Sequence, residues 1–270
     1  MSAPTPSWAE VTAPCSPGEL TPELLADLLA RVTERDIAKT IDHSLLRPEL
    51  DDAFVEDGCR LAAEYDVASV CVRPADVVRA TALLAGTDVA VGTVIGFPHG
   101  NHRTETKVFE ASRALADRAT ELDMVIQIGA LKSGRDAEVL ADIAAVVEVA
   151  HAGGAIVKVI FENAYLTDDE KARACYLSEA AGADFVKTST GFAPGGATHE
   201  DLALMRRSVS PHIQVKAAGG VRTLDALLAV MALGVTRIGA TATKTIVDDV
   251  RARKAGAAPA APAARGDGAY

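Results

Sequence analysis

Positive charge is in short supply in this chain. Its 27 lysines and arginines face 37 aspartates and glutamates, a formal net charge of −10 over 270 residues. That balance argues against nucleic-acid binding as its main business, which needs a basic face. Aromatic residues make up only 4%, so packing falls to Ala, Val, Leu and Ile. No apolar run approaches the length of a membrane span. The opening residues, Met1-Ser2-Ala3-Pro4-Thr5-Pro6, lack the basic and apolar regions of a signal peptide. The four cysteines, Cys15, Cys59, Cys71 and Cys175, form no C-x-x-C pair, which favours free thiols in a reducing cytoplasm. Among the histidines, His99 and His102 are near neighbours but no third ligand accompanies them, so they read as loop residues rather than metal ligands. A cytoplasmic protein with no metal, nucleic-acid or membrane partner is expected.

What the chain has in quantity is aliphatic sequence, with 49% hydrophobic residues. Short aliphatic runs alternate with longer helical patterns, the mark of repeated βα units. Strands are predicted near 38–42, 67–72, 89–95, 121–128, 155–161, 183–188, 212–217 and 236–240. Helix signals lie between them. Thr21-Pro22-Glu23 opens a leading helix, Thr104 to Thr120 reads as amphipathic, Thr167 to Glu170 is a capping box, and Thr223 caps a helix ending at Gly234. Eight such strands in this length predict a closed (β/α)8 TIM barrel in a single α/β domain. An open doubly wound sheet is the alternative, but no G-x-G-x-x-G follows the first strand. The predicted organisation is a flexible extension over 1–20, the barrel with its leading helix over 21–254, and a flexible Ala/Pro/Gly-rich tail over 255–270 ending in Tyr270.

Three lysines stand inside these aliphatic runs, each directly after a valine. They are Lys158, Lys187 and Lys216, each 29 positions from the next. Lysine is almost never fully buried unless paired, and a desolvated amine loses basicity. A neutral amine attacks carbonyls and forms Schiff bases. The period matches one βα unit, which puts the three at equivalent points on strands five, six and seven, with Lys187 between two cations. Side-chain alternation in strand four sends Leu122, Met124, Ile126 and Ile128 toward the helices and leaves Asp123 and Gln127 inside. In strand seven it turns Gln214 and Lys216 inward, so Lys187, Lys216 and Asp123 can converge. The competing reading is that these lysines pair with interior carboxylates and merely hold the barrel. Asp123 is either a counter-ion or a proton relay through water. Asp42 is placed at the end of strand one, where barrel active sites open, with a capping or loop role as its alternative.

A phosphate signal lies late in the chain. Gly191 follows strand six, Gly219 and Gly220 follow strand seven, and Gly239 lies within strand eight, with Arg222 and Thr241 placed to assist. The loops after strands seven and eight are the usual phosphate site of this fold.

The segments Ile41-Asp42-His43-Ser44-Leu45-Leu46, Ser69-Val70-Cys71-Val72, Val94-Ile95-Gly96-Phe97-Pro98-His99-Gly100, Glu121-Leu122-Asp123-Met124-Val125, Val186-Lys187-Thr188-Ser189-Thr190-Gly191-Phe192 and Val215-Lys216-Ala217-Ala218-Gly219-Gly220-Val221-Arg222 resemble the deoxyribose-phosphate aldolase family. The resemblance runs from roughly Ile37 to Asp249. It implies reversible cleavage of 2-deoxy-D-ribose 5-phosphate to D-glyceraldehyde 3-phosphate and acetaldehyde, without metal or organic cofactor. It also implies Lys187 as Schiff-base lysine, Lys216 as the cation that lowers its pKa, Asp123 in proton relay, and backbone around Gly191, Gly219, Gly220 and Gly239 on the phosphate. Thr190, Asp42 and Lys158 are accessory candidates, and Tyr270 matches a family habit of ending in a catalytic tyrosine. Gln127 stands where asparagine is expected, and Thr241-Ala242 replaces a serine-rich contact. A homo-oligomer, dimer or tetramer, is expected of such a barrel. Two other classes stay open: a barrel isomerase with a carboxylate base, and a noncatalytic sugar-phosphate sensor.

Overall fold

The computed structural model describes residues 14–258. Its centre is a closed barrel of strands in chain order, each paired in parallel with the next and the last with the first. The strands are β1 (Ile41–Leu45), β2 (Ser69–Val72), β3 (Ala90–Ile95), β4 (Glu121–Val125), β5 (Ile156–Ile160), β6 (Phe185–Lys187), β7 (Gln214–Ala218) and β8 (Arg237–Ala240). Helices between successive strands form the outer layer, as predicted for a (β/α)8 barrel. Among the described residues no helix is long and apolar enough to cross a membrane.

Alternation along the strands divides the molecule into two interiors. One face, including Leu122, Met124, Val157, Val159, Val186 and Val215, is fully buried against the helices and forms the apolar core. The other face lines the barrel and is polar, with Asp42, Ser69, Asp123, Lys158, Lys187 and Lys216 all buried. The helices start where their caps lie. Thr21, Thr167 and Thr223 each accept a hydrogen bond from a backbone N–H three residues on.

Several boundaries differ from the sequence reading for local reasons. β1 begins at Ile41, because Thr33 and Asp36 form a capping box that makes Glu34–Ala38 a short helix. β4 stops at Val125, and Ile128 opens the helix Ile128–Lys132 instead of prolonging the strand. The helix begun at Thr104 ends at Ala116, and Arg118 takes a left-handed φ of 73° that reverses the chain into β4. Residues 14–20, counted with the N-terminal extension, lie against the barrel's outer layer. The Cys15 amide donates to Ala232, and Ser16 and Glu19 cap a one-turn 3-10 helix at Pro17–Glu19. Most of the tail, Tyr270 included, lies outside the described residues.

Candidate active site

β4, β6 and β7 bring Asp123, Lys187 and Lys216 to one point. The Lys187 and Lys216 amines lie 2.7 Å from the same carboxylate oxygen, Oδ2 of Asp123. Parallel register sets Lys187 directly opposite Lys216. Only 3% of Lys187 and 1% of Lys216 is exposed, so a charge there has little help from water.

Lys158 is not at an equivalent point. β5 pairs with β6 so that Lys158 faces Phe185 and Ile160 faces Lys187, one inward layer deeper toward the barrel floor. Closing a barrel staggers neighbouring strands, and equal spacing in sequence does not remove the stagger. Lys158 bonds Asp42 and Asp123, each at 3.1 Å, and Glu121. Lys187 therefore has one cation at its side, Lys216, rather than two.

Asp42 is also displaced from its expected place. It is the second residue of β1, near the floor and fully buried, not at the mouth. It accepts from Ser69 at 2.7 Å and Arg237 at 2.8 Å, and lies 2.5 Å from the Lys216 amine. Gln127 falls beyond the end of β4, where its amide donates to Asp142 at 3.2 Å on the outer layer and leaves the barrel interior.

The shared carboxylate sorts the lysines by basicity. Burial holds Lys187 below the ordinary range for an amine, and the neighbouring Lys216 adds to this against the pull of Asp123. Burial also acts on Lys216, but Asp123 and Asp42 outweigh it and hold that amine above its ordinary value. Lys158 is likewise held above its ordinary value, because Asp123, Asp42 and Glu121 together overcome its burial. Asp123 is buried, which favours its neutral form, yet three amines keep it well below the usual carboxylate range. The arrangement thus sets an amine of lowered basicity beside a carboxylate and a more basic amine.

Three features here were missed in the sequence. Glu121 and Arg237 bond each other at 2.7 Å at the floor; Glu121 shares the parity of Asp123, which was the available signal. Glu162, just after β5, is buried with a left-handed φ of 59°, and it accepts from the amide and hydroxyl of Thr190. Nothing in its local sequence marks it. Leu46, Cys71 and Val94, with Phe97 packed on them, form an apolar patch apart from the main core. Phe192 meets Phe97 edge-on at 5.3 Å. Burial, reinforced by Asp123, pushes the Cys71 thiol up to about 11, so it stays protonated.

The glycine-rich loops lie at the C-terminal ends of the strands. Gly191, Gly219 and Gly220 have φ of 87°, 79° and 97°, which L side chains rarely adopt. The Ala197 amide donates to Ala218 and Gly219, joining the loops after β6 and β7. A Cβ on Gly219 would come within 3.0 Å of the Gly196 Cα. Gly239 differs from these: it lies inside β8, and a Cβ there would reach toward Ser44 and the Lys216 side chain. Arg222 and Thr241 are exposed beside these loops. Among the described residues no group of three or more His, Cys, Asp or Glu is arranged to hold a metal ion.

Comparison with known proteins bears on the family and the fold. Residues 37–257 match the family described as DeoC/LacD family aldolase. A deoxyribose-phosphate aldolase of Alkaliphilus oremlandii is 52% identical over 82% of this chain and 99% of its own length. One from a Geobacillus species is 54% identical over 80% of this chain and 96% of its own length. The tetrameric deoxyribose phosphate aldolase from Aeropyrum pernix superposes with a TM-score of 0.79 at 29% identity, covering 87% of this chain and all of that one. The chain belongs to the DeoC/LacD family of aldolases.

Proposed function

We propose that the protein is a class I deoxyribose-phosphate aldolase, a lyase whose Lys187 forms the Schiff base. The observation that carries this reading is the pair of amines on one oxygen of Asp123, of which Lys187 is the less basic. The neutral Lys187 amine attacks the C1 aldehyde of open-chain 2-deoxyribose 5-phosphate, giving a carbinolamine. Loss of its hydroxyl as water needs a proton, which Lys216 supplies through Asp123 or a water molecule held there. The protonated imine then accepts the electron pair of the C2–C3 bond as the C3 hydroxyl loses its proton. Glyceraldehyde 3-phosphate leaves, and an enamine remains on Lys187. Protonation of that enamine at C2 and hydrolysis release acetaldehyde and restore the amine.

Backbone N–H groups around Gly191, Gly219 and Gly220, with Arg222 and Thr241, are assigned to the phosphate, while Gly239 leaves room beside Lys216. Thr190, fixed by Glu162, faces the sugar hydroxyls in this reading. The apolar patch of Leu46, Val94 and Phe97 suits the two-carbon fragment. Tyr270, outside the described residues, stays an accessory candidate for protonation at C2. We further propose that the enzyme acts in the cytoplasm, a reading supported by its free and mostly buried cysteines. It is read as a homo-oligomer on the strength of exposed rings at Phe54, Phe109 and Tyr176.

Turnover tests the reaction. Purified protein is expected to release glyceraldehyde 3-phosphate from 2-deoxyribose 5-phosphate, and Lys187→Ala to lower kcat by at least about 10³-fold, as for loss of a covalent nucleophile. Activity retained in Lys187→Ala would instead favour a carboxylate-based isomerase chemistry.

A further inference from the structure

The polar interior is one connected cluster, and its charges do not cancel. Ion pairs join four cations, Lys158, Lys187, Lys216 and Arg237, to three carboxylates, Asp42, Glu121 and Asp123. None of these side chains is more than 12% exposed. An uncompensated charge in such a place is costly, and the cluster can shed its surplus by releasing one proton. Arg237 cannot be that donor, because a guanidinium stays protonated. Lys158 has three carboxylate partners and Lys216 has two. Lys187 has one, and shares its oxygen with Lys216.

Resting on the reading of Lys187 as nucleophile, we propose that Arg237 and Glu121, at the barrel floor, are positioning residues that set the charge of the cluster and thereby leave Lys187 as the amine without a proton. Arg237 enters from the first position of β8 and binds Asp42 from one side and Glu121 from the other. It thus occupies two of the three carboxylates with a charge that never titrates. The lysines divide the negative charge left over, and the one at the mouth, with Asp123 as its single carboxylate partner, gives up its proton.

The groups around the two ends are all accounted for. Lys187 is faced by Asp123 from β4, Lys216 from β7, the protonated thiol of Cys71 from β2, and Glu162 from the loop after β5. Glu162 stands outside the ion-paired cluster: burial holds its carboxyl above the ordinary value, favouring the neutral form, against the pull of Thr190 and of the Lys187 charge, and among the described residues no ion pair ties it to an amine. Arg237 is faced by Asp42 from β1, Glu121 from β4, Lys158 from β5, the ring of Phe185 from β6, 5.8 Å away, and its register partner Lys216 from β7.

The test is the acidic limb of the kcat/KM profile, which reports the free enzyme's essential base. In parallel, the pH dependence of reductive trapping of acetaldehyde on Lys187 is followed by peptide mass. Arg237→Met balances the cluster at three against three, so the limb should rise by about one pH unit or more. Glu121→Gln deepens the surplus, and the limb should fall. Arg237→Met with Glu121→Gln restores a surplus of one, and the limb should return toward wild type. Arg237→Lys keeps the charge and should keep the limb near its wild-type position. Thermal unfolding of each variant identifies those that fold. A folded Arg237→Met or Glu121→Gln variant with an unmoved limb, or a double variant displaced as far as Arg237→Met, overturns the proposal. A wild-type enzyme that traps no acetaldehyde on Lys187 overturns instead the functional reading beneath it.

Discussion

Lys187 and Lys216 carry the same amine, lie opposite each other on adjacent strands, and differ in the carboxylates they can reach. Lys216 reaches Asp42 as well as Asp123, while Lys187 reaches Asp123 alone. That single difference leaves Lys216 the more basic amine and Lys187 the less basic one. Removing the Lys216 charge as Lys216→Met takes away a cation that disfavours protonation of Lys187, so the Lys187 pKa should rise. Its neutral fraction is then lost over the same upward shift, and the acidic limb of kcat/KM should move up by about one unit. An unmoved limb in a folded variant removes Lys216 from this role. The lysines and Asp123 were legible because strand alternation separates polar from aliphatic positions without any knowledge of neighbours. The levels of Lys158 and Asp42 were not, because they depend on stagger and on where β1 begins. Glu121 and Arg237 each open a strand, where a charged residue reads as a solvated end.

Among the elements, β4 depends most on its surroundings. Its last residue, Val125, accepts a hydrogen bond at 2.8 Å from Lys107, on the helix Thr104–Ala116. Lys107 in turn pairs at 2.5 Å with Asp142, on the helix Asp136–Ala152, and both side chains are wholly buried. This clamp holds the strand two residues from Asp123. Burial draws the Lys107 amine below its ordinary value, so the pair is not a strong source of stability in itself. Breaking it is different, since one charge is left buried alone. Asp142→Ala should cost roughly 3–5 kcal/mol in urea unfolding, and Lys107→Met combined with Asp142→Leu should recover much of that loss. Equal losses in single and double variants would show that the clamp acts through packing alone. The helix before β4 was legible from its amphipathic pattern. The clamp was not, because two outward charges on separate helices give no sign that they meet beneath a third element.

At the scale of the whole molecule, closure of the barrel gathers residues from β1 to β8 into one polar interior. The sequence reading reached the closed barrel from eight aliphatic runs, and the ring of pairings agrees with it. It also placed the nucleophile candidate on the right strand face. What it lacked was the count of charges enclosed by closure, which exists only when all strands are present. The central claim is that this enclosure makes Lys187 the amine that attacks the substrate carbonyl. Its most direct test is borohydride reduction of the protein with 2-deoxyribose 5-phosphate, followed by intact mass and peptide mapping. One substrate-derived adduct per chain, on the peptide carrying Lys187, is the expected result. No adduct, or an adduct on Lys158 or Lys216 instead, would contradict it.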